Sequence, residues 1–205
     1  MFIFPLVCPP IDTNAYVIGC KVTKHAAIID PGMGSFEFTR TFLEKQGYTL
    51  KMVLCTHSHW DHIAEAARFQ EECGVPIYVH KEDAFNLIHP GQDGLPFPFP
   101  IQECTPNHLM NDGDQISLGE LTLQVIHTPG HSRGGVCFYF PNENVLFSGD
   151  TLFKGTMGKV SFPTSDPMKM KGSLIRLSQL PKITRVYPGH GPETTIGQET
   201  WINKL

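Results

Sequence analysis

Within six consecutive positions the chain carries four side chains that can bind metal ions. They follow a predicted strand and precede a predicted helix, and they are His57, His59, Asp61 and His62. Alternate residues leaving a strand point the same way, so His57 and His59 can share one metal ion. Asp61 and His62, at the start of the helix, can face a second ion. Imidazole and carboxylate donors of this kind suit borderline-soft cations such as Zn²⁺.

Later in the chain there are three further candidate ligands, each preceded by a glycine at the end of a β-type run: His131, Asp150 and His190. Glycine lets the backbone approach a crowded centre. A single histidine or aspartate is more often a helix cap or a turn residue, and Asp61 alone could be an N-cap. That simpler interpretation does not explain a dense cluster followed by three glycine-preceded repeats. We therefore predict two divalent metal ions, with coordination positions left open for water or substrate.

Strands and helices are predicted to alternate along the chain, which places the candidate ligands after strand ends. Apolar patterns predict strands at 1–7, 15–18, 26–30, 52–55, 77–79, 116–118, 121–126, 136–140 and 145–147. Helical periodicity and capping residues predict a helix to about 46 with Ser35 as its N-cap, a helix at 63–73, and a helix to 180 with Asp166 as its N-cap. The segment 89–108 is rich in proline and glycine, as expected of an ordered loop beside a pocket. No linker is evident, so we predict a single mixed α/β domain over residues 1–205.

Composition excludes several classes of function. Hydrophobic residues make up 40% and charged residues 18% of 205 residues, and no apolar run approaches the roughly 20 residues of a membrane-spanning helix. A formal charge of −4 without a long basic run disfavours nucleic-acid binding. The six cysteines form no CxxC pair and the apolar start of the chain lacks a basic leader, which predicts reduced thiols and a cytoplasmic location. The expected partner is a small-molecule substrate, not a nucleic acid or a membrane.

The segment 57–62 resembles the HxHxDH signature of the metallo-β-lactamase superfamily, and the later candidates fall in the order and spacing of the remaining ligands of that family. The resemblance implies an αββα sandwich with the metal site at one edge. It implies one metal ion held by His57, His59 and His131 and a second held by Asp61, His62 and His190. It further implies that Asp150 bridges the two ions and that Asp61 and Asp150 are the catalytic residues.

Within this superfamily, the segments 128–132 and 149–153 are similar to glyoxalase II, the hydroxyacylglutathione hydrolase, and 187–192 resembles its compact relatives. Lys159 matches a basic residue that contacts glutathione in that family, so it is the candidate substrate-binding residue. Ser161 and Pro192 stand where the family has tyrosines. The chain also ends fifteen positions after His190, without room for the C-terminal helical extension of glyoxalase II.

The resemblance therefore predicts a dinuclear hydrolase that acts on a thioester, such as an acylglutathione, through metal-activated hydroxide. Zinc is the expected metal, with iron or manganese as alternatives. The rival reaction is persulfide dioxygenation by a single iron on His57, His131 and Asp150, although that family has Arg and Asp at the positions of Lys159 and Ser161. A lactonase and a non-catalytic metal-binding module are further alternatives.

A few polar and aromatic residues have two interpretations each. Asp30 follows a strand and either orients a metal-binding imidazole or initiates a turn. Asn14 and Tyr16 also resemble family positions, but a local turn explains Asn14 equally well. Phe97 and Phe99 either line a substrate pocket or pack the loop onto the core.

Overall fold

A computed structural model describes all residues from 1 to 205, and two six-stranded sheets form its centre. The first sheet contains, in both chain and spatial order, β1 (Phe2–Cys8), β2 (Thr13–Gly19), β3 (His25–Ile29), β4 (Thr49–Leu54), β5 (Ile77–His80) and β6 (His108–Met110). The second contains β7 (Gln115–Leu118), β8 (Leu121–His127), β9 (Val136–Phe140), β10 (Val145–Gly149), β13 (Arg185–Pro188) and β14 (Thr194–Thr195). Its spatial order is β14-β13-β10-β9-β8-β7, and β11 (Leu152–Phe153) pairs separately with β12 (Thr156–Met157).

Five α-helices accompany the sheets: α1 (Ser35–Gln46), α2 (Trp60–Ile63), α3 (Ala66–Cys73), α4 (Ala84–Ile88) and α5 (Pro167–Leu177). A 3₁₀ helix follows at Thr200–Lys204. Helices α1 and α3 cover the outer face of the first sheet, and α5 covers the outer face of the second. This arrangement confirms the predicted αββα sandwich. None of the helices combines the length and the apolar character needed to cross a bilayer.

Side chains alternate between two buried layers, because both faces of each sheet are covered. In β3, Ala26 and Ile28 belong to the layer beneath α1 and α3. Ala27 and Ile29 belong to the layer between the sheets. Strands buried on both faces read as continuous apolar runs, which is why the sequence predicted them without an alternating pattern.

The helix boundaries follow the prediction in part. Helix α1 begins one residue earlier than predicted, because Ser35 is its first residue and Gly34 occupies the N-cap position. It ends as predicted before Gly47, which is in the left-handed conformation with φ of 68°. The helix predicted at 63–73 is instead divided into α2, which begins at Trp60, and α3, which begins at Ala66, and Glu65 between them has a non-helical φ of −117°. The five-residue α4 was not predicted, and α5 ends before 180 because the chain continues in tight turns.

Candidate metal centre

The first candidate ligand group joins the two halves of the sandwich. His57 and His59 follow β4 of the first sheet, whereas His131 follows β8 of the second. One ligand atom from each lies within 4.8 Å of the others, and all three residues are buried. The Nδ1 of His59 lies 2.8 Å from the Nε2 of His131. Two imidazole lone pairs at this distance repel unless a proton or a cation lies between them.

The second group lies beside the first and contains Asp61, His62 and His190. Asp61 Oδ2 is 3.1 Å from His62 Nε2 and 3.3 Å from His190 Nε2. The His190 side chain is 24% exposed, whereas His62 is fully buried. The centre therefore opens to solvent on the side of His190.

The carboxylate of Asp150 faces both groups, and with His57 and His62 it forms a third group that overlaps them. Its Oδ2 is 3.2 Å from His131 Nε2, and its Oδ1 is 3.5 Å from His62 Nε2. A carboxylate placed between two ligand sets is suited to bridging two cations. The structure thus brings together all seven side chains that the sequence singled out.

The donor set fits metal ions. The Nε2 atoms of His57 and His62 and the Oδ1 of Asp150 are buried without a hydrogen-bond partner. His62 Nε2 lies near Asp61 but without the geometry of a hydrogen bond. Leaving such atoms unpaired costs about 1–3 kcal/mol each, and cation coordination would remove that cost. Burial, together with the neighbouring imidazoles, holds the pKa values of His57 and His59 well below their usual range, so both rings are neutral and able to bind metal.

The rings of His62 and His131 are oriented by hydrogen bonds at Nδ1, the nitrogen that points away from the centre. The Nδ1 of His62 donates to Asp30 Oδ2 over 3.0 Å, and the Nδ1 of His131 donates to the carbonyl of Lys159 over 2.8 Å. Each contact leaves Nε2 facing the centre. Asp30 also accepts hydrogen bonds from the amide and the hydroxyl of Thr56. The structure therefore supports the first interpretation of Asp30, as a residue that orients a ligand.

Strand β2 holds the loop that carries His190. The side-chain amide of Asn14 donates to the carbonyls of Pro188 and Gly191. The Tyr16 hydroxyl donates to the carbonyl of Pro188 over 2.6 Å. The hydroxyl of Thr13 donates to Asp61 Oδ2 over 2.7 Å. Sequence reasoning missed Thr13, since a threonine at the start of a strand carries no distinguishing signal.

Asp83 is a second residue that sequence reasoning missed. Its carboxylate accepts hydrogen bonds from Ser58 N, Ser132 Oγ and Gly134 N. It thereby joins the loop of His57 and His59 to the loop of His131. Burial raises the pKa of Asp83 although these donors oppose the shift. The residue precedes α4, which is too short to show helical periodicity, so no pattern singled it out.

Close packing explains the glycine that precedes His190. A Cβ at Gly189 would collide with Asp150 Oδ1 and with the ring of His62. Gly158 is restricted in the same way, because a Cβ there would collide with the backbone oxygen of Asp150. The prediction that glycine permits close approach to the centre therefore holds for Gly189, whereas a Cβ at Gly130 would meet Met170 and one at Gly149 would meet Thr56.

Lys159 and an unpredicted phenylalanine border the first ligand group. The ring of Phe162 packs edge-on against His59 and His131, with centroid distances of 5.5 Å. The exposed ammonium of Lys159 lies 4.8 Å from the centre of the Phe162 ring. Phe99 packs on Trp60 at 5.6 Å, which favours the interpretation that it anchors its loop.

Comparisons with known proteins agree with this geometry. The family model described as the metallo-beta-lactamase superfamily matches residues 8–190. An uncharacterised Mycobacterium leprae protein is 36% identical, covering 94% of this chain and 93% of its own length. The hydroxyacylglutathione hydrolase GloC of Haemophilus influenzae is 34% identical, covering 94% of each chain.

Solved structures share the fold. The BLEG-1 B3 metallo-beta-lactamase has a TM-score of 0.90 at 36% identity and covers 97% of this chain and 96% of its own. TTHA1623 in a di-iron-bound form has a TM-score of 0.79 at 35% identity, covering 96% of each chain. ETHE1 from Myxococcus xanthus has a TM-score of 0.84 at 27% identity and covers 99% of this chain and 83% of its own.

Proposed function

Because this chain belongs to the metallo-β-lactamase superfamily of metal-dependent hydrolases, we propose that it hydrolyses a thioester, with an acylglutathione as the substrate class. The observation that carries the proposal is the pair of ligand groups with Asp150 facing both. The substrate class is supported by the likeness to GloC, which extends over nearly the whole of both chains. A small-molecule substrate and a cytoplasmic setting, consistent with six unpaired cysteines, belong to the same proposal.

We assign the ligands by these groups. His57, His59 and His131 would hold one divalent ion, Asp61, His62 and His190 would hold the other, and Asp150 would bridge them. When bound there, two such ions would supply an activated water with a pKa near 7, a Lewis acid for the scissile carbonyl and a partner for the thiolate leaving group. Zinc is the proposed metal. Iron is the alternative, since the similar TTHA1623 structure is a di-iron form.

The residues around the centre determine which imidazole nitrogens carry protons and how much negative charge surrounds the ligands. Asp30 holds the proton on His62 Nδ1, and the carbonyl of Lys159 holds the proton on His131 Nδ1. These two contacts direct the Nε2 atom of each ring toward the centre. Asp61 and Asp150 bring two negative charges, which would partly neutralise two bound dications and leave a net positive centre for a developing oxyanion.

Lys159 supplies the proposed contact to an anionic substrate. Its ammonium is exposed, makes no ion pair and lies above Phe162, which touches two ligands of the first group. Ser161 beside it offers only a small hydroxyl. Binding of a substrate carboxylate thus depends on one solvent-exposed cation, Lys159, which contributes about 1 kcal/mol to the free energy of substrate binding.

The test is a substrate panel for zinc-loaded and iron-loaded protein: an S-acylglutathione, its neutral S-acyl-N-acetylcysteamine analogue, a lactone, a β-lactam and glutathione persulfide. We expect the acylglutathione to give the highest kcat/KM. Lys159→Ala should reduce that value about fivefold, mainly through KM, and should leave the neutral thioester unchanged. Lys171→Ala, which removes an exposed lysine from α5, is the matched control.

Other outcomes would assign other functions. Oxygen consumption with glutathione persulfide would select the dioxygenase, and preferred turnover of the lactone would select the lactonase. Preferred turnover of the β-lactam would align the chain with BLEG-1, the similar B3 metallo-beta-lactamase. No turnover of any substrate by the fully loaded protein would favour the metal-binding module.

A further inference from the structure

A polar cavity of about 140 Å³ adjoins the first ligand group on the side of α4. We name it the α4 cavity, and its boundary includes His59, Glu82, Asn86, Gln92, Arg133 and Thr164. Phe85 is the single hydrophobic residue in its lining. Apolar pockets suit apolar acyl groups, whereas this lining offers charges and hydrogen-bonding groups. The cavity is therefore suited to a small polar group held next to the metal centre.

Two oppositely charged side chains of the α4 cavity have no partner within the protein. Glu82 and Arg133 are exposed, and neither side chain makes a hydrogen bond or an ion pair. The carboxylate of Asp83 also lines the cavity but is already surrounded by three donors. Asp93 accepts from Asn86 Nδ2 and Leu95 N, and burial raises its pKa. One carboxylate and one guanidinium therefore remain for a ligand.

The wall of the α4 cavity is held in place before any ligand binds. Asn86 Nδ2 donates to the carbonyl of Ser58 over 2.6 Å, and Asn86 Oδ1 accepts from the amides of Gly91 and Asp93. The hydroxyl of Thr164 is buried and has no partner. An oriented wall with an unused hydroxyl is typical of a site that pairs with a ligand, since preorganisation lowers the entropic cost of binding.

We propose that the α4 cavity binds the α-amino-acid head group of the substrate, in which an ammonium and a carboxylate are neighbours. Arg133 pairs with the carboxylate and Glu82 with the ammonium. Glutathione carries such a head group at its γ-glutamyl end. The inference rests on the proposed thioester hydrolysis and extends it, because it assigns a second subsite on the His59 side of the centre, in addition to Lys159.

The test measures binding instead of turnover. Zinc-loaded protein is titrated by calorimetry with S-methylglutathione, which has no scissile acyl group, and with the same compound N-acetylated at the γ-glutamyl amine. We expect Arg133→Ala to weaken binding of S-methylglutathione about fivefold. We expect wild type to bind the N-acetylated compound more weakly than S-methylglutathione by a similar factor. We expect Glu82→Gln to bind the two compounds with the same affinity. Lys171→Ala should bind as wild type does, and Arg133→Gln replaces Arg133→Ala if the latter does not fold.

The outcomes separate this inference from the proposed function. Unchanged S-methylglutathione binding in the Arg133 and Glu82 variants overturns the inference, even where the wild type hydrolyses acylglutathione. Binding that depends on both residues supports the subsite, even where acylglutathione is not hydrolysed and the thioesterase proposal fails. If Glu82→Gln, compared with wild type, lost the same factor of affinity for the N-acetylated compound as for S-methylglutathione, the assigned pairing of Glu82 with the ammonium would also be contradicted.

Discussion

At the scale of single residues, Asp150 links the two ligand groups through one carboxylate. Its two oxygens face His131 and His62 at 3.2 Å and 3.5 Å, and its side chain is 9% exposed. The residue follows Gly149, whose φ of 47° turns the chain at the end of β10. The carboxylate therefore enters the centre on a sharply bent backbone that holds it between the two groups.

We predict that Asp150→Asn damages turnover far more than folding. The amide nearly preserves volume but loses the charge and one of the two oxygens that a bridge requires. Changes to residues that only support metal ligands cost 10–100-fold, so loss of the bridging ligand should reduce kcat by more than about 100-fold. The measurements are kcat and denaturant unfolding of the metal-free protein. Asp114→Asn, at an exposed turn, is the control, and near-normal kcat in folded Asp150→Asn would rule out the bridge.

At the scale of secondary-structure elements, the centre depends on loops that two sheets hold side by side. The loop after β4 supplies four ligands, and the loops after β8, β10 and β13 supply one each. Asp83, just before α4, fastens the first of these loops to the second. We regard it as a positioning residue, since it touches neither group of ligands directly.

Asp83→Asn should loosen this connection. The amide can accept through one oxygen only, so its NH₂ group must face a donor in a buried site, which costs about 1–3 kcal/mol. We expect a lower free energy of unfolding and weaker zinc binding at the His57, His59 and His131 group. Competitive metal titration measures the second effect. A lower free energy of unfolding without any change in zinc affinity would show that Asp83 supports only the fold.

His80 is the last residue of β5 in the first sheet and His127 the last residue of β8 in the second, and the centroids of their stacked rings are 4.0 Å apart. Burial, together with His127, lowers the pKa of His80 to about 4. Between pH 4 and about 6.5 the unfolded chain binds a proton that the folded chain does not bind. This contribution to stability is therefore present above pH 6.5 and is lost as the pH falls toward 4. It amounts to at most about 3 kcal/mol.

We expect the free energy of unfolding of the metal-free protein to fall less between pH 7 and pH 4.5 in His80→Asn than in wild type. Urea titrations at both pH values measure the difference. His108→Asn removes an exposed histidine and should retain the wild-type difference. An unchanged pH dependence in His80→Asn would contradict the assignment.

Part of this organisation could be predicted from the sequence. Long apolar runs and the capping glycine of α1 made the main elements and the sandwich predictable, because burial dictates these patterns over many residues. Dense spacing indicated the four ligands after β4. Thr13, Asp83 and Phe162 could not be predicted, because each acts through contacts with residues distant in the chain. Pairings across such distances leave no local periodicity.

At the scale of the whole molecule, bound metal should hold the two sheets together. Each ligand group combines side chains from loops of both sheets. Metal present at about 1,000 times its Kd stabilises the folded state by about 4 kcal/mol. For a domain of this size that corresponds to roughly 8–16 °C in Tm.

Removal of metal by a chelator should therefore lower Tm by about this amount, and added zinc should restore it. Differential scanning calorimetry measures both steps. His59→Ala and His62→Ala should each reduce the response to zinc, whereas His108→Ala should not. A Tm that is insensitive to the chelator in fully loaded wild-type protein would contradict a structural contribution of the centre.

The order of the ligands along the chain determines when the centre can be completed during synthesis. About 130 residues separate His62 from His190, and at about 5–20 residues per second a ribosome needs roughly 6–26 s to make them. During this time the nascent chain gains His131 and then Asp150, but Asp61 and His62 still lack His190. The second ligand group is therefore completed last, when β13 pairs with β10 and delivers His190.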